Sequence, residues 1–184
     1  MDLIEHTYTI QWVGPMDYEE YREYLRNQET LDSAYFNLYY FEARKDARYK
    51  WSTYYIGIHK NNDGIDRRVN PSHEHLGPFI KEDAKDIKIW IGSFANEKDQ
   101  KPENVDIVET LFIKAYNDRL TKNTKKKESI PSSSVCVINS YYNTNDEPIL
   151  RKSEKPMVFD DVLIYLEESD SFMHGNLSKM KGTK

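Results

Sequence analysis

Two aromatic runs do most to constrain what this chain can fold into. FNLYYFEAR at 36–44 and WSTYYIGIH at 51–59 are rich in the residues that suit a pleated, half-buried surface. Between them KDARYK is charged and turn-like, so the pair reads as an antiparallel hairpin. HTYTIQWV at 6–13 alternates as a first strand, which Gly14-Pro15 is expected to break. DIKIWIGSF at 86–94 alternates again, and SVCVIN and VLIYLEE are two later strands.

Helical periodicity fills the intervals. Asp17 is a natural N-cap for DYEEYREYLRNQ, which has acids in its first turn and Tyr18, Tyr21 and Leu25, with Tyr24 beside them, on one face. After the turn signal Asn61-Asn62-Asp63-Gly64, a short helix is expected through IDRRV, ending before Pro71. VDIVETLFIKAYNDRL is the clearest helix, with Val105, Val108, Leu111, Phe112, Ala115, Tyr116 and Leu120 at helical spacing. The fold class expected is mixed α/β (α+β), a small antiparallel sheet flanked by helices with extra N- and C-terminal elements.

Composition narrows the setting. At 184 residues the chain reads as one domain over 1–168, with core elements at about 35–123, C-terminal strands at about 134–166 and a loose tail over 169–184. Such a length buries enough apolar surface to fold without disulfides or a structural metal. The single cysteine, Cys136, fits a reducing compartment and is most simply a buried strand residue. MDLIEHTYTI lacks the basic start and apolar stretch of a signal peptide, and no apolar run approaches the roughly 20 residues of a membrane helix. A soluble, cytoplasmic protein with no membrane partner is expected. A net charge of -5 argues against wholesale coating of nucleic acid. Yet Lys114, Arg119, Lys122, Lys125, Lys126 and Lys127 crowd one stretch that could grip a phosphate backbone.

The residues that carry chemistry fall in a distinctive order. Tyr39 stands in NLYYF, Tyr55-Ile56-Gly57 follows on the next strand, and Arg67 and Arg68 come ten and eleven residues past that glycine. Glu109 lies on the clear helix and Asn123 just beyond it. In this order the chain resembles the GIY-YIG nuclease superfamily, over roughly Tyr35 to Asn123. The YIG tripeptide is intact; the GIY tripeptide is Asn37-Leu38-Tyr39, its tyrosine kept and its glycine replaced. ETLFIKAYNDRLTKN is similar to the family's helix, with glutamate, isoleucine and a later asparagine.

The resemblance implies a GIY-YIG-type sheet and a DNA endonuclease using one divalent ion, Mg²⁺ or Mn²⁺. Glu109 is then the metal ligand, Tyr39 the base and Tyr55 its hydrogen-bonded neighbour. Ile65 points to Arg68 as the phosphate-neutralising arginine, with Arg67 as the fallback. Gly57, Lys60, His73 and Asn123 take supporting places, with Lys122, Lys125, Lys126 and Lys127 on the nucleic acid.

Physical chemistry asks for these residue types independently. Phosphodiester hydrolysis needs an activated water, a counter-charge for the phosphate oxygens and help for the leaving oxygen. Arginine offers a planar donor fork, and a tyrosine, starting near pKa 10, needs nearby cations before it accepts a proton at neutral pH. Taken singly, each residue has a plainer reading: strand tyrosines pack, arginines face water, and a glutamate suits an early helical turn. Two other functions therefore stand beside the nuclease. One is a catalytically inactive nucleic-acid-binding or interaction module on the same fold. The other is a hydrolase using His59, His73 and His75 to hold zinc.

Overall fold

The computed structural model describes residues 4–27, 35–60, 64–82, 86–126 and 129–177. The hairpin forms as its two aromatic runs require: β2 (Leu38–Ala43) and β3 (Thr53–Ile58) pair antiparallel, with Tyr39 opposite Gly57 and Phe41 opposite Tyr55. β4 (Ile87–Phe94) pairs with the other side of β2 and with β1 (His6–Met16), both antiparallel.

Contrary to expectation, β1 does not stop at Gly14-Pro15. It continues to Met16 through a register irregularity after Val13, where Gly14 adopts φ +149 and has no room for a side chain. A bulge absorbs the proline without ending the strand.

The sheet is larger than the small antiparallel one expected, and it is mixed. Among the described residues seven strands run in the order β3-β2-β4-β1-β5-β6-β7. β5 (Val135–Tyr142) pairs parallel with β1, since the chain returns to the sheet only after crossing it with a helix. β6 (Val162–Leu166) and β7 (Ser171–Gly175) then add antiparallel. The stretch from Ser169, expected as a loose tail, thus contributes a strand, because the open edge of β6 offers it a backbone ladder.

Helices cover both faces. α1 (Tyr18–Asn27) opens with reciprocal capping: Asp17 Oδ1 accepts from Glu20 N–H at 2.9 Å and Glu20 Oε2 accepts from Asp17 N–H at 2.8 Å. It buries Tyr18, Tyr21 and Tyr24 with Phe41, Ile89 and Ile91 on one sheet face. The helix expected through IDRRV is a single 3-10 turn, Ile65–Arg67, followed by α2 (Gly77–Glu82) on that face. On the opposite face lies α3 (Pro102–Ala115), begun by a proline whose missing N–H is no loss in a first turn. Its Val105, Val108, Leu111 and Phe112 pack with Trp12, Tyr40, Ile56 and Trp90. No helix among the described residues is long and apolar enough to cross a membrane.

Candidate active site

The site is built at the edge-strand end of the sheet, where β3 has only one neighbouring strand among the described residues. Because Tyr39 faces Gly57 and Phe41 faces Tyr55, both tyrosines project from one face, their ring centroids 5.9 Å apart. Gly57 makes this possible. A Cβ there would fall 2.3 Å from both Cζ and Oη of Tyr39, so the ring lies directly over the glycine.

The turn after β3 brings in the arginines. Buried Ile65 and Val69 anchor it, and Arg68 closes it with its N–H on Ile65 O at 2.9 Å. Arg67 and Arg68 both line the cavity above the tyrosines, but it is the charge of Arg68 that acts on both phenols, favouring their ionised forms. Burial outweighs it. Tyr39 is held well above the usual phenol range, first by burial and then by Tyr55, and burial raises Tyr55 too. Both phenols are therefore protonated at neutral pH in this state of the protein.

His73 is fixed in one tautomer by the backbone. Its Nδ1 accepts from the N–H groups of His75 and Leu76, each at 3.1 Å, while its Nε2 lies 3.0 Å from Tyr39 Oη. Burial, with His75 and Arg68 nearby, lowers its pKa to about 4, so the ring is neutral at pH 7. A neutral imidazole accepting at Nδ1 carries its proton on Nε2, and that N–H donates to the Tyr39 oxygen. Neither nitrogen keeps a free lone pair. The alternative in which His59, His73 and His75 hold zinc loses His73 on this point, and among the described residues no group of three or more His, Cys, Asp or Glu side chains could hold a metal ion.

Glu109 comes from α3. It is buried, and it lines the same cavity as the tyrosines because α3 runs beside the edge strand. Its Oε2 accepts from Lys126 Nζ at 2.8 Å; burial still pushes its pKa up, and Lys126 pulls it back. One helical turn earlier, Asp106 Oδ1 accepts from the same Lys126 Nζ at 2.7 Å and also pairs with Lys60.

Lys60 and Asn123 thus have structural partners. Lys60 is an ion-pair partner of Asp106 and is not among the cavity-lining residues. Asn123 lines the cavity but uses its amide on the open edge of β3: Oδ1 accepts from Ile56 N–H at 3.0 Å and Nδ2 donates to Ile56 O at 2.7 Å. Lys122 N–H adds a bond to Tyr54 O at 3.2 Å. Residues 121–123 therefore act as a short surrogate strand.

One cavity of about 630 Å³ gathers Tyr39, Tyr55, Arg67, Arg68, His73, Glu109, Asn123, Lys122, Lys125 and Lys126. Lys127 lies outside the described residues. Five of the lining side chains are arginine or lysine and two, Glu74 and Glu109, are carboxylates, although the whole chain is acidic. The arrangement suits an anion with several oxygens. Sequence reasoning missed Asp106. Its signal was present, since aspartate and glutamate three apart on a helix share a face. Asn70, Ser72 and Thr124 were also missed; they are polar loop residues without a pattern to mark them.

A divalent ion is compatible with these residues. A buried carboxylate needs a counter-charge, and Glu109 already binds a cation, the Lys126 ammonium. Comparison with family models, with curated proteins and with solved structures finds no match for the chain.

Proposed function

We propose that this cavity is the active site of a metal-dependent endonuclease of the GIY-YIG type, hydrolysing phosphodiester bonds of DNA. One observation carries the reading: two strand tyrosines, an arginine and a helical glutamate, far apart in sequence, line one basic cavity. Glu109 would hold Mg²⁺ or Mn²⁺, which when bound supplies Lewis-acid charge and an acidified water. Arg68 draws the phosphate in and offsets the charge that builds on its oxygens. His73 Nε2–H, directed at Tyr39 Oη, steadies negative charge on that oxygen. Tyr39 can take a proton from the attacking water only once added positive charge overcomes its burial. Lys122, Lys125 and Lys126 sit on the rim where flanking phosphates would pass. A single buried cysteine in β5 fits a reducing, cytoplasmic setting.

The experiment is cleavage of plasmid DNA with Mg²⁺ or Mn²⁺. Glu109→Gln should lower the rate by about a hundredfold or more, the scale of a lost electrostatic stabiliser. Cleavage unchanged in Glu109→Gln overturns the assignment.

A second reading, a nucleic-acid-binding module without catalysis, is favoured by the lysine already seated on Glu109. It expects salt-dependent DNA binding with no cleavage under any divalent ion.

A further inference from the structure

The cation on Glu109 comes from the chain itself, and its setting is unusual. Lys126 Nζ lies between two carboxylates one helical turn apart, 2.7 Å from Asp106 Oδ1 and 2.8 Å from Glu109 Oε2. Its backbone stands at φ 62, a left-handed conformation that residues with a side chain rarely adopt. Its carbonyl oxygen accepts from Ser129 N–H at 3.0 Å, while its side chain makes the two ion pairs.

We propose that Lys126 is a displaceable internal counter-ion, occupying the Glu109 oxygen that a divalent ion would take and giving it up when the ion binds. The inference rests on reading Glu109 as the metal-holding carboxylate. A magnesium-sized ion contacts carboxylate oxygen at about 2.1 Å, so it cannot share Oε2 with an ammonium without pressing like charges together. The ammonium has somewhere to go. Asp106 already holds it, and the Lys126 side chain is partly exposed on a loop, so losing Glu109 costs it one of two partners. Removed from Oε2, it remains on the cavity rim beside Lys122 and Lys125, where a phosphate can recruit it.

The test is Mn²⁺ affinity without nucleic acid, measured by electron paramagnetic resonance of the free ion. Wild type, Lys126→Met, Lys126→Gly and the double variant Lys126→Met/Glu109→Gln are compared, with circular dichroism as the check on folding. Lys126→Gly suits the left-handed backbone and serves if the methionine variant does not fold. Removing the ammonium should tighten Mn²⁺ binding by about tenfold or more, the scale on which groups around a metal ligand act. The double variant should lose that gain. Affinity unchanged or weaker in the folded single variants, no Mn²⁺ binding to them, or tight binding retained in the double variant overturns the proposal. These outcomes separate from those of the functional reading. Cleavage lost in Glu109→Gln with Mn²⁺ affinity unmoved by Lys126 variants overturns this inference alone.

Discussion

Tyr39 lies over position 57, so the absence of a side chain there decides where its hydroxyl sits. Gly57→Ala would put a methyl group 2.3 Å from the Tyr39 hydroxyl oxygen, and the ring must move away from His73 and Tyr55. Urea denaturation should show a loss of about 1–3 kcal/mol, the usual cost of overpacking, together with loss of cleavage. Unaltered stability and activity would mean that the ring does not lie over Gly57. His73 makes a second prediction at this scale. Its pKa is 6.5 in the unfolded chain and about 4 in the fold, lowered by burial, His75 and Arg68 against a smaller opposing effect of Glu74. Between those values the unfolded chain binds a proton that the folded chain does not, so stability should fall as pH drops from about 6.5 to about 4. Urea midpoints across that range should fall less steeply in His73→Gln than in wild type. Parallel profiles would show that His73 is not held neutral by the fold.

An element-scale question is what keeps an edge strand carrying Tyr55 and Gly57 in register. Among the described residues β3 has a strand, β2, on one side only, and Asn123 supplies both a donor and an acceptor to Ile56 on the other. Asn123→Ala leaves a buried N–H and C=O unpaired, which should cost about 2 kcal/mol and speed amide exchange at Ile56 before the rest of the sheet. Exchange at Ile56 no faster than in wild type would rule out the clamp. The order tyrosine, glycine, arginine, glutamate, asparagine made Asn123 conspicuous in the sequence, but its role was not legible there. An asparagine past a helix reads as a C-terminal residue, and only the fold brings it 67 positions back to a strand edge.

At the scale of the whole molecule, an acidic chain carries its site at one end of a seven-stranded sheet and covers the other end with β7. β7 pairs with β6 along its length, His174 Nδ1 meets Asp160 Oδ2 at 2.9 Å, and Leu177 N–H bonds Asp161 Oδ2 at 3.0 Å. Ending the chain after Glu168 should therefore lower the thermal midpoint and promote association through the bared β6 edge. Light scattering and a melting curve would check this. A truncated chain as stable and monodisperse as the parent would show that β7 is dispensable.

The elements themselves were legible in the sequence because they depend on near neighbours. Aromatic runs between polar stretches mark β2 and β3, alternation marks β4, Asp17 and Glu20 cap α1 three residues apart, and the apolar stripe of α3 repeats every turn. The tyrosines, arginines and glutamate could be named in order for the same reason, each being tied to an element with its own local pattern. Tertiary structure alone decided that β5 runs parallel to β1, that residues 171–175 pair as a strand, and that His73 and Lys126 touch Tyr39 and Glu109. The contacts of β5, His73 and Lys126 join residues 17 to 129 positions apart, and those of residues 171–175 join them to β6 across a tight reversal. Nothing in the local pattern encodes them, since they follow from which sheet edges are open and which buried charges need a partner once the chain has closed on itself.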